Sequence, residues 1–258
     1  MKKSLKSSLL HIRKSTNIKR YKMITTVLTD LDGTLIPFEQ EDFIKLYFSY
    51  LSKALAPLGY EPKEVVNAVW RGMDAMVRND GSRTNCEAFW QTFRGLTHGK
   101  PDAKSVCDSF YTGDFDKVRA CLKYAPDRAP LIKRLKAAGL RVVLATNPVF
   151  PPDGVKTRMK WVGLSEDDFE YITTYDNSTC CKPNPAYFAE ILAKLGVEPQ
   201  NAMMIGNSVP EDIKAAQAAG IRAFLVPEFL ENPQGDDISA FPQGTLDEAV
   251  DYALKLAK

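Results

Sequence analysis

Ile24-Thr25-Thr26-Val27-Leu28-Thr29-Asp30-Leu31-Asp32-Gly33-Thr34-Leu35 is the stretch from which the rest of the chain is read. Its first six residues are apolar or β-branched, the pattern of a short buried strand. Two carboxylates, Asp30 and Asp32, stand where that strand ends, and Gly33 lets the chain turn sharply away. Two acids at a strand's carboxyl end can hold a cation, and they can divide labour between nucleophile and proton carrier. Buried without partners they would be costly, so the bland alternative requires them to be exposed or ion-paired.

Beyond Pro37 the hydrophobic period turns helical. Phe43, Leu46, Tyr47, Tyr50, Leu51, Ala54, Leu55 and Leu58 follow the i, i+3, i+4, i+7 rule. A second helix is expected from about Pro62, with Val66, Val69, Met73 and Met76 on one face, stopping at the turn cluster Asn79-Asp80-Gly81-Ser82. A third is expected over about Thr84 to Leu96, and a fourth within Lys104–Leu122. No strand is legible between residues 38 and 125, which reads as an all-helical insertion.

From Pro126 strands and helices alternate. The expected order is a helix over Ala129–Ala138, a strand over Arg141–Ala145, a weak strand at Tyr171–Thr173 and a helix over Ala186–Leu195. A strand over Ala202–Ile205, a helix over Asp212–Ala219, a strand over Arg222–Val226 and a last helix through Leu246–Ala257 complete it. Such alternation implies an α/β fold: a Rossmann-like parallel sheet flanked by helices on both faces, with the helical insertion after its first strand. The expected organisation is a core of residues 23–36 and 126–258, a cap of residues 37–125 and a tail of residues 1–22.

The chain has 258 residues, 45% hydrophobic and 26% charged, which is ordinary for a globular protein. Its net charge of +2 is uneven. Residues 1–22 carry eight Lys or Arg and no acid, so that the remaining residues 23–258 sum to −6. The body is mildly acidic, and neither nucleic acid nor membrane is an expected partner. The basic tail can be read as a transit peptide or anion-binding arm; the preferred reading is a disordered tail, since Met23 directly precedes the first strand. Five cysteines without zinc-type spacing suggest reduced thiols and a cytoplasmic protein. With only His11 and His98, a Ser-His-Asp or Cys-His mechanism and a His-rich metal site lack material.

In open parallel sheets the ligand lies beyond the carboxyl ends of the strands, so the residues just past each strand are decisive. The second strand leads into Thr146-Asn147, whose hydroxyl and main-chain N–H can donate to a phosphate oxygen. Cys181-Lys182-Pro183-Asn184-Pro185 places a lysine in a loop that opens a helix. Met204-Ile205-Gly206-Asn207-Ser208-Val209-Pro210-Glu211-Asp212 puts acids at a helix start, where capping alone is the plain alternative.

In order and placement these four segments resemble the signature of the haloacid dehalogenase-like superfamily, most of whose members are magnesium-dependent phosphatases. The resemblance covers residues 23–36 and 126–258; within it, Leu144-Ala145-Thr146-Asn147-Pro148 and Lys182-Pro183-Asn184-Pro185-Ala186-Tyr187-Phe188 look like an uncharacterised bacterial branch. It implies that Asp30 attacks phosphorus and that Asp32, absent from the dehalogenase branch, is general acid and base. It also implies that Thr146, Asn147 and Lys182 hold the transferring phosphoryl group. Mg2+ would be held by Asp30, Asp32 through its main-chain carbonyl, and Asn207 or Asp212. The family usually has an acid where Asn207 stands; an amide carbonyl can ligate magnesium but brings no charge.

The expected activity is therefore hydrolysis of a small phosphorylated metabolite through an aspartyl-phosphate. The alternatives are a phosphomutase with the same nucleophile and a non-catalytic phosphate-binding or regulatory protein. Arg71, Arg78 and Arg83, near the second insertion helix, are candidates to reach the substrate. The sequence does not decide between monomer and homodimer.

Overall fold

The structure, a computed structural model, describes residues 23–257. The reading of residues 1–22 as a disordered tail falls outside the described residues. Strand β1 (Thr26–Thr29) is followed by α1 (Gln40–Leu55), α2 (Pro62–Val77), α3 (Asn85–Leu96) and α4 (Lys104–Thr112), then a 3-10 stretch, Asp114–Cys121. The chain continues through α5 (Ala129–Ala137), β2 (Arg141–Leu144), α6 (Pro152–Lys160), β3 (Tyr171–Ile172), α7 (Pro185–Leu195) and β4 (Ala202–Gly206). It ends with a π turn, Val209–Lys214, running into α8 (Ala215–Ala218), then β5 (Arg222–Leu225) and α9 (Leu246–Leu256).

The five strands make one sheet in the order β3-β2-β1-β4-β5, with every neighbouring pair parallel. Strand β1 lies in the middle. Thr29 is level with Leu144 of β2 and Ile205 of β4, so the residues just past these three strands emerge side by side. Along β1 the side chains alternate between the faces. Val27 packs into one apolar cluster with Leu131, Leu135, Val155 and Val250 of α5, α6 and α9. Leu28 packs into a second with Phe188, Ile191 and Ala216 of α7 and α8. Both faces are covered, which is why the strands read as continuous apolar runs without alternation.

Three differences from the sequence expectation have local causes. Strand β1 starts at Thr26: Ile24 N leaves the sheet for Leu256 O at 3.0 Å, and Thr25 only borders the ladders, bonding to Asn201 O at 2.8 Å and accepting from Arg141 N at 2.9 Å. The fourth insertion helix breaks at Gly113, the C-cap of α4, and only a 3-10 stretch comes after it. The helix expected at Asp212 starts three residues earlier, at Val209, as the wide π turn. Helix α3 begins where expected, closed by a capping box in which the Thr84 hydroxyl accepts from Glu87 N at 3.2 Å and the Glu87 carboxylate accepts from Thr84 N at 2.8 Å.

The helical insertion packs on the sheet-bearing part through an aromatic seam. Phe43 of α1 meets Phe150 edge-on at 6.0 Å, and Phe115 lies 5.6 Å from Trp161. It is also tied to the loop after β3. Asn85 N donates to Ser178 O and Cys86 N to Tyr175 O, each at 2.9 Å. The fully buried Asn85 amide donates to Pro148 O at 3.2 Å, with Cys181 Sγ at 3.2 Å and Cys180 O at 3.4 Å beside it. Replacing Asn85 by Ala leaves these acceptors without a donor in a dry interface. The expected melting temperature is lower by roughly 4–8 °C, the scale of a ~2 kcal/mol loss. An unchanged value by calorimetry would show that the amide does not join the two parts. No described helix is long and apolar enough to cross a membrane.

Candidate active site

The residues just past β1, β2 and β4 line a single cleft of about 210 Å³. Asp30 extends β1 by one more ladder bond, from its N–H to Ile205 O at 2.9 Å. The chain then folds into a tight turn in which Gly33 N donates to Ile36 O at 2.9 Å. Gly33 has φ +76°, and a Cβ there would stand 2.3 Å from Asn207 Nδ2. Any other residue would therefore be strained and would collide with the segment after β4. Gly206 is held to glycine by the same crowding, since its Cβ would fall 2.2 Å from Asp212 Oδ2.

Lys182 is buried at the back of the cleft, its ammonium 2.8 Å from Asp30 Oδ1 and 2.6 Å from Asp212 Oδ1. The second Asp212 oxygen accepts from Ser208 N at 3.0 Å. Burial works against the Lys182 charge, but Asp212 and Asp30 outweigh it and hold the pKa well above the ordinary lysine value. Burial pushes the Asp212 carboxyl up to about 6, against the pull of Lys182. Thr146 is also buried and lines the cleft, its main chain fixed by the hydroxyls of Thr173 and Tyr187, which donate to Thr146 O at 2.7 and 2.9 Å. Asn147 lies beside it and donates from Nδ2 to Glu211 Oε2 at 3.0 Å.

The sequence reading missed three site residues. Arg158 of α6 is fully buried and donates to Asp32 Oδ2; its guanidinium lies 4.0 Å from the Phe150 ring centre. Burial raises the Asp32 carboxyl above the usual aspartate value and Arg158 opposes that rise. Asp32 Oδ1 and Arg158 Nη2 have no hydrogen-bond partner among the described residues. Glu211 lines the cleft and is pushed up to about 8, chiefly by burial and then by Asp212 and Glu231. Glu231, in the loop after β5, also lines the cleft and is pushed up to about 7 by burial and by Asp30, Asp212 and Asp32. The -Pro-Glu- and -Leu-Glu- contexts of these acids carry no periodic signal. Helix α6 opens with Pro151-Pro152 and contains Gly154, which read as loop.

Asn207 is engaged at both ends of its amide. Oδ1 accepts from the Thr34 hydroxyl at 3.0 Å, and Nδ2 donates to Phe229 O at 2.6 Å. The main chain adds Glu231 N to Asn207 O at 3.1 Å and Val209 N to Glu231 O at 2.8 Å. An acid at position 207 would turn a carboxylate against the Phe229 carbonyl. The amide instead ties down the segment that brings Glu231 to the cleft.

Five carboxyl groups, Asp30, Asp32, Glu211, Asp212 and Glu231, thus surround two cations, Lys182 and Arg158. That excess of hard oxygen donors suits a small divalent cation such as magnesium, which takes one or two carboxylates and completes its shell with other oxygens. No three His, Cys, Asp or Glu side chains among the described residues converge as a ready-made metal cage. Magnesium bound by one or two of these carboxylates would complete its shell with carbonyl oxygens or waters.

Arg71, Arg78 and Arg83 are exposed and none lines the cleft; Arg78 pairs with Asp74 at 2.8 Å. The far wall is apolar, made by Phe43, Ile44, Tyr47 and Phe48 of α1, Trp70, Met73 and Val77 of α2, and Val149 and Phe150.

Residues 24–220 match the family described as haloacid dehalogenase-like hydrolase. The glyceraldehyde 3-phosphate phosphatase of Methanopyrus kandleri is 25% identical over 241 residues, 92% of this chain and 100% of that one. The protein CbbY of Rhodobacter capsulatus is 33% identical over 221 residues, 84% of this chain and 90% of that one. Among solved structures, a HAD phosphatase from Thermococcus onnurineus superposes with a TM-score of 0.54 at 24% identity, covering 89% of this chain and 97% of that one. At that identity the last likeness bears on the fold alone.

Proposed function

The chain belongs to the haloacid dehalogenase-like hydrolases, and on that footing we propose that it is a magnesium-dependent phosphatase acting on a small phosphorylated metabolite through an aspartyl-phosphate on Asp30. The observation that carries this reading is the convergence of Asp30, Asp32, Thr146 and Asp212 on one cleft, with Lys182 bonded to two of them. In this reading residues 37–125 form a cap over the core of residues 23–36 and 126–258.

One Asp30 oxygen attacks phosphorus as the bond from phosphorus to the leaving oxygen breaks. Asp32, protonated, gives its proton to that leaving oxygen; its unpartnered Oδ1 is the atom suited to carry it. The resulting Asp32 carboxylate then takes a proton from water, the hydroxide attacks phosphorus, and phosphate leaves with Asp30 restored. Burial of Asp32 favours its protonated form and Arg158 its ionised form, so both halves of the cycle have a supporting group. Thr146 and Lys182 hold the equatorial oxygens, where charge accumulates. Magnesium would be held by Asp30, the main-chain carbonyl of Asp32, and Asn207 or Asp212, with Glu231 beside them. When bound it supplies positive charge against the phosphoryl oxygens.

Phosphate release from a panel of phosphomonoesters, with magnesium and with a chelator, tests the reading. No release from any ester in magnesium would overturn it.

The carboxyl groups also set a pH dependence. Asp212, Glu231 and Glu211 are raised in the folded state to about 6, 7 and 8, above the ~4 of unfolded carboxylates. Between about pH 5 and 8 the folded protein therefore binds more protons than the unfolded chain, and stability falls as pH rises. Acids with lowered values, such as Glu64 and Glu87, oppose that slope only toward the acid end of the range, where unfolded carboxylates begin to bind protons. With a chelator present, the melting temperature is expected to be lower at about pH 8 than at about pH 5.5. Magnesium added at about pH 8 raises it, because a ligand of the folded state stabilises that state. A metal-free melting temperature that climbs over the same range would contradict this account of the cleft.

A further inference from the structure

The cleft is divided by chemistry. Its floor holds the carboxyl groups, and both cations at that floor are already paired, Lys182 with Asp30 and Asp212 and Arg158 with Asp32. Apart from Gln40 at the start of α1, the opposite wall is mainly apolar: Ile44 and Phe48 from α1, Trp70, Met73 and Val77 from α2, and Phe150. Besides Lys182 and Arg158, behind that floor, no lysine or arginine reaches the cleft among the described residues. Trp70 and Val77 keep 43% of their surface exposed, and Phe48 sits 5.8 Å from Trp70, ring centre to ring centre. Two large apolar side chains left half in water at the mouth of a cleft mark a surface that gains by being covered.

We propose that the leaving group of the substrate is uncharged and apolar, an aromatic or branched aliphatic alcohol. The proposal rests on the phosphatase reading, which sets the phosphoryl group at Asp30 and so turns the rest of the ester toward this wall. A leaving group with a carboxylate or a second phosphate meets two penalties. Its charge loses hydration against Ile44, Met73 and Val77 with no cation to replace the water. It also brings a second negative charge into the cleft beside Asp30, the nucleophile of that reading. An aromatic or aliphatic body meets neither, and it removes Trp70, Val77 and its own surface from water.

The test separates preference from turnover. Calorimetric binding of phenylphosphonate and of phosphonoacetate, neither of which can be hydrolysed, reads the preference directly in the magnesium-loaded protein. The expected result is at least roughly tenfold tighter binding of phenylphosphonate, the scale of discrimination an apolar pocket supplies. Equal binding, or tighter binding of phosphonoacetate, would overturn the proposal. The matching esters, phenyl phosphate and 2-phosphoglycolate, then report kcat/KM. A preference in binding with no release from these esters or from any other of the panel would leave the apolar site standing and remove the phosphatase reading. Trp70→Ala is expected to lower the phenyl-to-glycolate ratio of kcat/KM by roughly tenfold, through KM for the phenyl ester. A ratio unchanged in that variant would take the wall out of recognition and overturn the proposal.

Discussion

Asp30→Asn is expected to lower the rate of phosphate release by at least roughly 10⁴-fold, with the fold preserved. Asp30 stands at the end of the central strand, and its carboxylate has one oxygen 2.8 Å from the Lys182 ammonium. An amide has the same shape but cannot form the acyl phosphate. Lys182 keeps Asp212 at 2.6 Å in the variant, so its buried charge is not abandoned. Circular dichroism and melting temperature close to wild type would confirm that the loss is chemical. A purified variant within tenfold of wild type would remove Asp30 as nucleophile.

Arg158→Met is the second large effect, and it falls first on stability. The side chain is fully buried and faces Asp32, which keeps only 26% of its side-chain surface. Removing one partner of a buried pair leaves the other charge uncompensated, at about 3 kcal/mol or more. For a chain of this size the expected fall in melting temperature is roughly 6–12 °C. The same change raises the Asp32 pKa, because Arg158 is what opposes the effect of burial. The first step needs protonated Asp32, so the alkaline limb of the kcat/KM profile moves upward. A merely structural arginine would lower stability and leave the limb in place. Arg158→Lys retains a charge and is expected to restore part of both properties; no difference between the Lys and Met variants would deny Arg158 its hold on Asp32.

Much of the site was legible because its chemistry sits within a residue or two of a strand end. Asp30 comes directly after β1, Thr146 lies just past β2 and Asn207 directly after β4, so a correct strand reading carried each with it. Lys182 was legible from its Lys-Pro context, although residues 173–181 separate it from β3. Arg158 was not legible. Its partner Asp32 is 126 positions away, and helix α6 carries only Val155 and Met159 as buried apolar side chains. A pairing across that distance writes no period into the local sequence. Glu231 was missed for the same reason: its nearness to Asp30 depends on the bonds from Asn207 to Phe229 and Glu231, which only the folded chain shows. Arg71, Arg78 and Arg83 misled in the opposite direction, being close in sequence to cleft residues but on the outer face of their helix and turn. The bonds of the Asn207 amide to Thr34 and Phe229 were likewise invisible in the sequence.

The bonds that join Asn85 and Cys86 to the loop after β3 bear on how molecules come and go. Swinging the four helices away from the sheet would break two main-chain bonds and strip the Asn85 amide of its acceptors, while exposing the aromatic seam of Phe43, Phe115, Phe150 and Trp161. Whole-body hinge motions of that kind run on microsecond to millisecond times even where nothing opposes them. Trp70 and Val77, half in water at the rim, change rotamer in picoseconds to nanoseconds. An opening that spares those bonds is confined to the rim where Trp70 and Val77 stand.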